Sequence, residues 1–123
     1  MKEITVLIVE DEQMLCDAIA FGFLSSGMKV LKANNGKDGL KFIQRNPDID
    51  IVITDIRMPD EDGISLLDKI RSFDKDIPVI ISTGFMDISR DEAFAKGANA
   101  IINKPFRFES LLAEVQKLLG VLA

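Results

Sequence analysis

The sequence predicts an α/β fold, a parallel sheet covered by helices on both faces, on three observations. Short apolar or β-branched runs alternate along the chain with stretches of helical period, the connections between them are short, and three of the five runs are nearly continuous in apolar character. Strict alternation with short links implies parallel strands joined by right-handed crossovers, and near-continuous apolar runs are what burial on both faces of a sheet requires.

The elements follow in order. Ile4 to Val9 (ITVLIV) reads as the first strand, and Leu15, Ile19, Gly22 and Phe23 then recur at helical spacing. Met28 to Ala33 is the second strand, followed by a helix carrying Leu40 and Ile43. Ile49 to Thr54 (IDIVIT) is the third, before a helix with Ile64, Leu67 and Ile70. Pro78 to Ser82 is the fourth, ahead of a helix whose apolar side is Phe94 with its neighbouring alanines. Ala100 to Ile102 is the fifth, and Leu111, Leu112, Val115, Leu118 and Leu119 mark the last helix. In such a sheet ligands bind beyond the carboxyl ends of the strands, where the strand order reverses.

Size and charge narrow the function. A chain of 123 residues fits one domain, 1–123. With 20 acidic against 15 basic residues and a net charge of -5, nonspecific binding to phosphate backbones or anionic lipid is disfavoured. No direct nucleic-acid partner and no membrane association are expected. Cys16 is the only cysteine, so no internal disulfide forms, and without a signal peptide or long apolar span the expected location is cytoplasmic. His, Tyr and Trp are absent, which removes imidazole general bases and most transition-metal sites. Any imidazole chemistry must come from a partner.

The strand ends carry the polar residues. Glu10, Asp11 and Glu12 follow the first strand, Asp55 ends the third, Ser82 and Thr83 end the fourth, and Lys104 follows the fifth. Capping of the next helix accounts for Thr83 or Asp11 taken singly. It accounts poorly for a lysine and several carboxylates at one rim, since close carboxylates raise one another's pKa unless a cation neutralises them. Oxygen ligands without His or Cys suit a hard ion such as Mg²⁺, with Mn²⁺ as a substitute. Mg²⁺ beside a carboxylate suggests phosphoryl transfer, with Asp55 as the nucleophile and Lys104 and Thr83 stabilising charge on the transferred oxygens.

The segments VLIVEDE, ITDIRMPDEDG, PVIISTG and NKPF, in this order and spacing, resemble the receiver domain of two-component response regulators, the CheY-like family. The resemblance covers essentially the whole chain. It implies a three-layer (βα)5 flavodoxin-like fold with strand order 2-1-3-4-5. It further implies Asp55 as phosphoacceptor, Asp11 as a direct Mg²⁺ ligand, Glu10 as a second acid acting through water, and the main-chain carbonyl of Arg57 as the third protein ligand. Thr83 matches the switch hydroxyl and Lys104 the ion-pair partner, with a cis bond to Pro105.

Two positions depart from the commonest pattern. Glu10 stands where Asp is more usual, a change tolerated by a water-mediated contact. Ile101 occupies the position of a Tyr or Phe that swings inward on activation, so aromatic rotation cannot be the readout here. Either Thr83 switches while Ile101 repacks, or the loop around Met86 and Asp87 moves. Arg57 and Phe85, two residues beyond Asp55 and Thr83, flank the approach of water and would set the phosphorylated lifetime, unless Arg57 is a solvated loop charge.

The resemblance also implies partners. The donor is a phosphohistidine on a sensor histidine kinase or a histidine phosphotransfer protein. Met14, Ala18 and Phe21 form a second apolar stripe on the first helix, which either docks that donor or adds packing. Output to a downstream protein would leave through the fourth helix, fifth strand and fifth helix, with a phosphorylation-dependent dimer as one form. The chain is expected to be a signalling module, not an enzyme in its own right. The alternatives are a phosphorylation-independent adaptor, and a receiver excised from a larger regulator or hybrid histidine kinase.

Overall fold

In the computed structural model, residues 3–58, 62–74, 76–84 and 90–121 are described. The chain runs β1 (Thr5–Val9), α1 (Gln13–Ser25), β2 (Lys29–Ala33), α2 (Gly36–Arg45), β3 (Ile51–Asp55), α3 (Gly63–Phe73), β4 (Val79–Thr83), α4 (Arg90–Ala95), β5 (Ala100–Asn103) and α5 (Phe108–Leu119). The five strands form one parallel sheet in the order β2-β1-β3-β4-β5. That is the flavodoxin-like order, with its reversal between β1 and β3.

Alternation within each strand builds two cores. Val6, Ile8, Ile51, Ile53, Ile80, Ala100 and Ile102 face one side, where Cys16, Ile19 and Phe23 of α1 and Leu111 and Val115 of α5 cover them. Leu7, Val9, Val52, Val79, Ile81 and Ile101 face the other, against Ile43 of α2, Leu66, Leu67 and Ile70 of α3 and Ala93 of α4. Strands β3 and β4 are buried along their whole length. The edge strand β2 instead exposes Lys29 and Lys32, charges that discourage pairing with another chain.

Close approaches need glycine at two helix faces. Phe108 packs edge-on to Phe23, ring centroids 4.9 Å apart, and a Cβ on Gly22 would fall 2.6 Å from the Phe108 ring. On the opposite face a Cβ on Gly39 would meet Val9 Cγ2 at 2.8 Å.

Strand boundaries move by one or two residues from the sequence expectation. Ile49 is a loop residue whose N–H donates to the Asn46 carbonyl at 3.2 Å, and Met28 closes the end of α1 by donating to Phe23 at 3.1 Å. At the other end β3 extends to include Asp55. Phe94 is a correction: it is 42% exposed, and Ala93 is the buried residue of α4. A helix of six residues turns one position fully inward, and Phe94 lies outside with the Arg90 guanidinium 5.9 Å from its ring centre. Among the described residues no helix is long and apolar enough to cross a membrane.

Candidate functional site

The carboxyl edge of the sheet gathers the polar residues. Beyond β1, Glu10 is fixed through its backbone: its N–H donates to the Ala33 carbonyl at 2.9 Å, and Asn34 Nδ2 donates to its carbonyl at 3.1 Å. Its buried side chain accepts from the Glu12 N–H at 3.1 Å through Oε2 and from Lys104 Nζ at 3.0 Å through Oε1. Lys104 Nζ also lies 3.2 Å from Asp55 Oδ2. One ammonium therefore joins the acids of two strands.

The charges respond to this setting. Burial pushes the Glu10 carboxyl above its ordinary 4.5, although the Glu12 N–H and Lys104 pull the other way. For Lys104, burial favours loss of the proton, but the hydrogen bond to Glu10 and the charges of Asp55 and Glu10 outweigh it and hold the ammonium above 10.5. Lys104 is thus a fixed positive charge at neutral pH.

Asp11 is exposed, and it completes the acidic group: single carboxylate oxygens of Glu10, Asp11 and Asp55 lie within 4.8 Å of one another. Capping does not explain Asp11, because the N-cap of α1 is Glu12, which makes no side-chain capping bond. An open cavity beside Asp11 is lined by Arg57, Met58 and Asp62. Hard oxygen donors, one of them solvent-facing, next to open space fit a small divalent cation that keeps several waters.

The loop after β3 is shaped by its last residues. Asp62 caps α3, its Oδ1 accepting from Ser65 N–H at 2.7 Å. Gly63 donates its N–H to the Ile56 carbonyl at 2.8 Å. A Cβ on Gly63 would run into the Asp55 carbonyl oxygen and come within 2.9 Å of Ile56 Cα. The bare glycine lets α3 start directly against the strand that carries Asp55.

Asp55 is 7% exposed at the end of β3. Thr83 is buried at the end of β4; its hydroxyl donates to the Gly84 carbonyl at 3.1 Å, and its own carbonyl accepts the Lys104 N–H at 2.8 Å. The Lys104–Pro105 bond is cis. Ile101 is buried in the core under α3 and α4, and Arg57 is exposed. Phe85, Met86 and Asp87 lie outside the described residues.

On α1, Met14 is 83% and Phe21 73% exposed, and Ala18 lies between them, also exposed. These residues add no packing to the core, and Leu24, exposed as well, extends the stripe. Sequence reasoning missed Leu24 and the Asn34 support of Glu10, and it placed Ser82 at the end of the fourth strand without giving its hydroxyl a role. A polar residue within VIIST was the signal for that hydroxyl.

A family model described as the response regulator receiver domain matches residues 6–116. The chain is 36% identical over 116 residues to the transcriptional regulatory protein CssR of Bacillus subtilis, covering 94% of this chain and 51% of that protein. It is 35% identical over 118 residues to the virulence transcriptional regulatory protein PhoP of Salmonella typhimurium, covering 93% and 51%. The chain spans about half the length of the curated relatives it matches. Among solved structures, a response regulator receiver domain protein from Clostridium thermocellum superposes with a TM-score of 0.91 at 29% identity, covering 95% of this chain and 94% of that one. A CheY-like receiver domain protein from Methanospirillum hungatei gives 0.90 at 27% identity, covering 97% and 95%. The chain belongs to the response regulator receiver domain family, the phosphoacceptor modules of two-component signalling.

Proposed function

We propose that Asp55 accepts the phosphoryl group from a phosphohistidine carried by a sensor histidine kinase or a histidine phosphotransfer protein. The observation that carries the reading is the position of Lys104 Nζ, 3.2 Å from Asp55 and 3.0 Å from Glu10. A cation anchored by a neighbouring buried acid stays within the site when the charge on Asp55 is redistributed, and can turn from the carboxylate to the incoming oxygens. Lys104 and the Thr83 hydroxyl then receive the oxygens of the transferred group.

Glu10, Asp11, Asp55 and the main-chain carbonyl of Arg57 would hold Mg²⁺, with Mn²⁺ able to replace it. When bound, the ion supplies positive charge against the phosphoryl oxygens. Glu10 is already committed to Lys104 and the Glu12 N–H, which favours its acting through water. Asp11, exposed, is the freer direct ligand.

The new charge on Asp55 would be read through Thr83 and Ile101, with Arg57 and Phe85 setting how long it lasts. Met14, Ala18 and Phe21 would dock the helical donor, and their exposure supports that use over packing. Output would pass through α4, β5 and α5 to a downstream protein or a second copy of the chain. In this reading the chain works in the cytoplasm as a signalling receiver, its only catalysis being the gain and loss of its own phosphoryl group.

The test is the intact mass after incubation with acetyl phosphate. A Mg²⁺-dependent gain of one phosphoryl group, absent in Asp55→Asn, supports the reading; equal labelling of that variant removes it. If Phe21→Asp labels normally with acetyl phosphate but slowly from its cognate kinase, α1 is the docking face; an unchanged rate from the kinase removes that assignment.

A further inference from the structure

Among the described residues, Ser82 Oγ is the buried side-chain oxygen without a hydrogen-bond partner. Ser82 is 3% exposed and stands opposite Asp55 in the β3–β4 register. Residues paired in this way point to the same face, on strands about 4.8 Å apart. Ile80 and Ile53, two positions earlier on each strand, both pack in the layer of α1 and α5. Lys104 starts beyond β5 and reaches the acids of β3 and β1, with β4 lying between. Lys104 therefore crosses the end of β4 to reach them.

A buried hydroxyl with no partner costs stability, and a site that retains one calls for another state in which it is satisfied. We propose that Ser82 is a positioning residue for phosphoryl transfer, its hydroxyl donating to Asp55 Oδ2 in the transition state. At rest, Lys104 Nζ holds Oδ2. During transfer the other Asp55 oxygen bonds to phosphorus while the bond from phosphorus to the donor breaks, and the donor leaves with the electron pair. Negative charge on the phosphoryl oxygens draws Lys104 toward them. Oδ2, still bearing part of the carboxylate charge, then keeps one lone pair for the ion it would share with Glu10 and Asp11 and has the other free to accept from Ser82.

Hydrolysis crosses the same arrangement in reverse. A water oxygen bonds to phosphorus, the Asp55 O–P bond breaks, the electron pair returns to the carboxylate and the water proton leaves with the phosphate. A hydrogen bond to a charged carboxylate is stronger than one to a neutral acyl oxygen. A bond stronger in the transition state than in the ground state lowers the barrier, so Ser82 accelerates both directions.

The inference rests on Asp55 as phosphoacceptor, and the test separates the two. Wild type, Ser82→Ala and Ser82→Thr are labelled with acetyl phosphate and Mg²⁺ and followed by intact mass, together with their thermal midpoints. In Ser82→Ala, labelling at saturating acetyl phosphate and decay of the label both slow about fivefold, the factor one net hydrogen bond is worth. The half-saturating concentration does not move, the thermal midpoint stays equal or rises, and Ser82→Thr restores both rates. A Ser82→Ala variant with wild-type rates, or one whose rates fall only together with its midpoint, overturns this inference alone. A wild-type chain that takes no label overturns it together with the assignment of Asp55.

Discussion

Glu10 and Lys104, 94 positions apart in the chain, meet at 3.0 Å across the rim of the sheet. The pair joins the end of β1 to the residue after β5, and Asp55 lies on its path. The contact puts a buried acid and a half-buried cation within a few ångströms of each other, so its balance depends on pH.

Glu10 has a folded-state pKa above its ordinary 4.5. Its contribution to stability is therefore full below pH 4.5 and is lost as pH rises through the higher folded value. Glu10→Gln cannot titrate. The thermal midpoint of wild type minus that of Glu10→Gln should fall as pH rises from 4.5 and then level off. A difference that grows over this range would contradict the burial argument.

Gly63→Ala should destabilise the fold by about 1–3 kcal/mol in denaturant unfolding, the usual cost of forcing atoms into a packed site. The obstructing atoms are backbone of Asp55 and Ile56, which cannot swing aside. Phosphorylation should slow in the same variant because Asp55 is carried on the displaced strand end.

Arg71 ties together three segments at the opposite edge of the sheet. It donates to the Gly97 carbonyl from Nε at 3.2 Å and from Nη2 at 2.8 Å, to the Ile77 carbonyl at 2.7 Å, to Asp74 at 3.3 Å and to Asn99 Oδ1 at 2.8 Å. Arg71→Ala should cost about 2–3 kcal/mol by leaving these acceptors unpaired. Arg71→Lys should recover only part, since an ammonium cannot span the same fork. Gly97, at φ 108° against this guanidinium, should tolerate Ala poorly. Acetyl phosphate labelling of folded Arg71→Ala should match wild type.

Cys16 is buried, and burial pushes its thiol up to about 11. At neutral pH a thiol reagent should label the folded protein no faster than the chain opens, and labelling should accelerate with denaturant. Immediate labelling of native protein would contradict the burial.

Much of this was legible in the sequence. The β-α alternation, the face of each strand and the gathering of Glu10, Asp11, Asp55 and Lys104 follow from where the apolar runs stop. Other features depend on distances that no local pattern carries. Arg71 reads as an ordinary helix charge until the chain returns through Gly97 and Asn99, 26 and 28 positions later. Phe94 reads as core because aromatic residues usually are, but α4 turns Ala93 inward and leaves Phe94 on its outer side. Ser82 is hidden by its neighbour, since a hydroxyl beside Thr83 looks redundant until the register sets it opposite Asp55.

The most direct measurement is the location of the phosphoryl group. After labelling with acetyl phosphate and Mg²⁺, borohydride reduction converts an aspartyl phosphate to homoserine, and peptide mass spectrometry reads the position. Homoserine at residue 55 is the predicted result. Homoserine at residue 11 or 62, or a stable phosphate ester on Ser82 or Thr83 with Asp55 unchanged, would contradict the account.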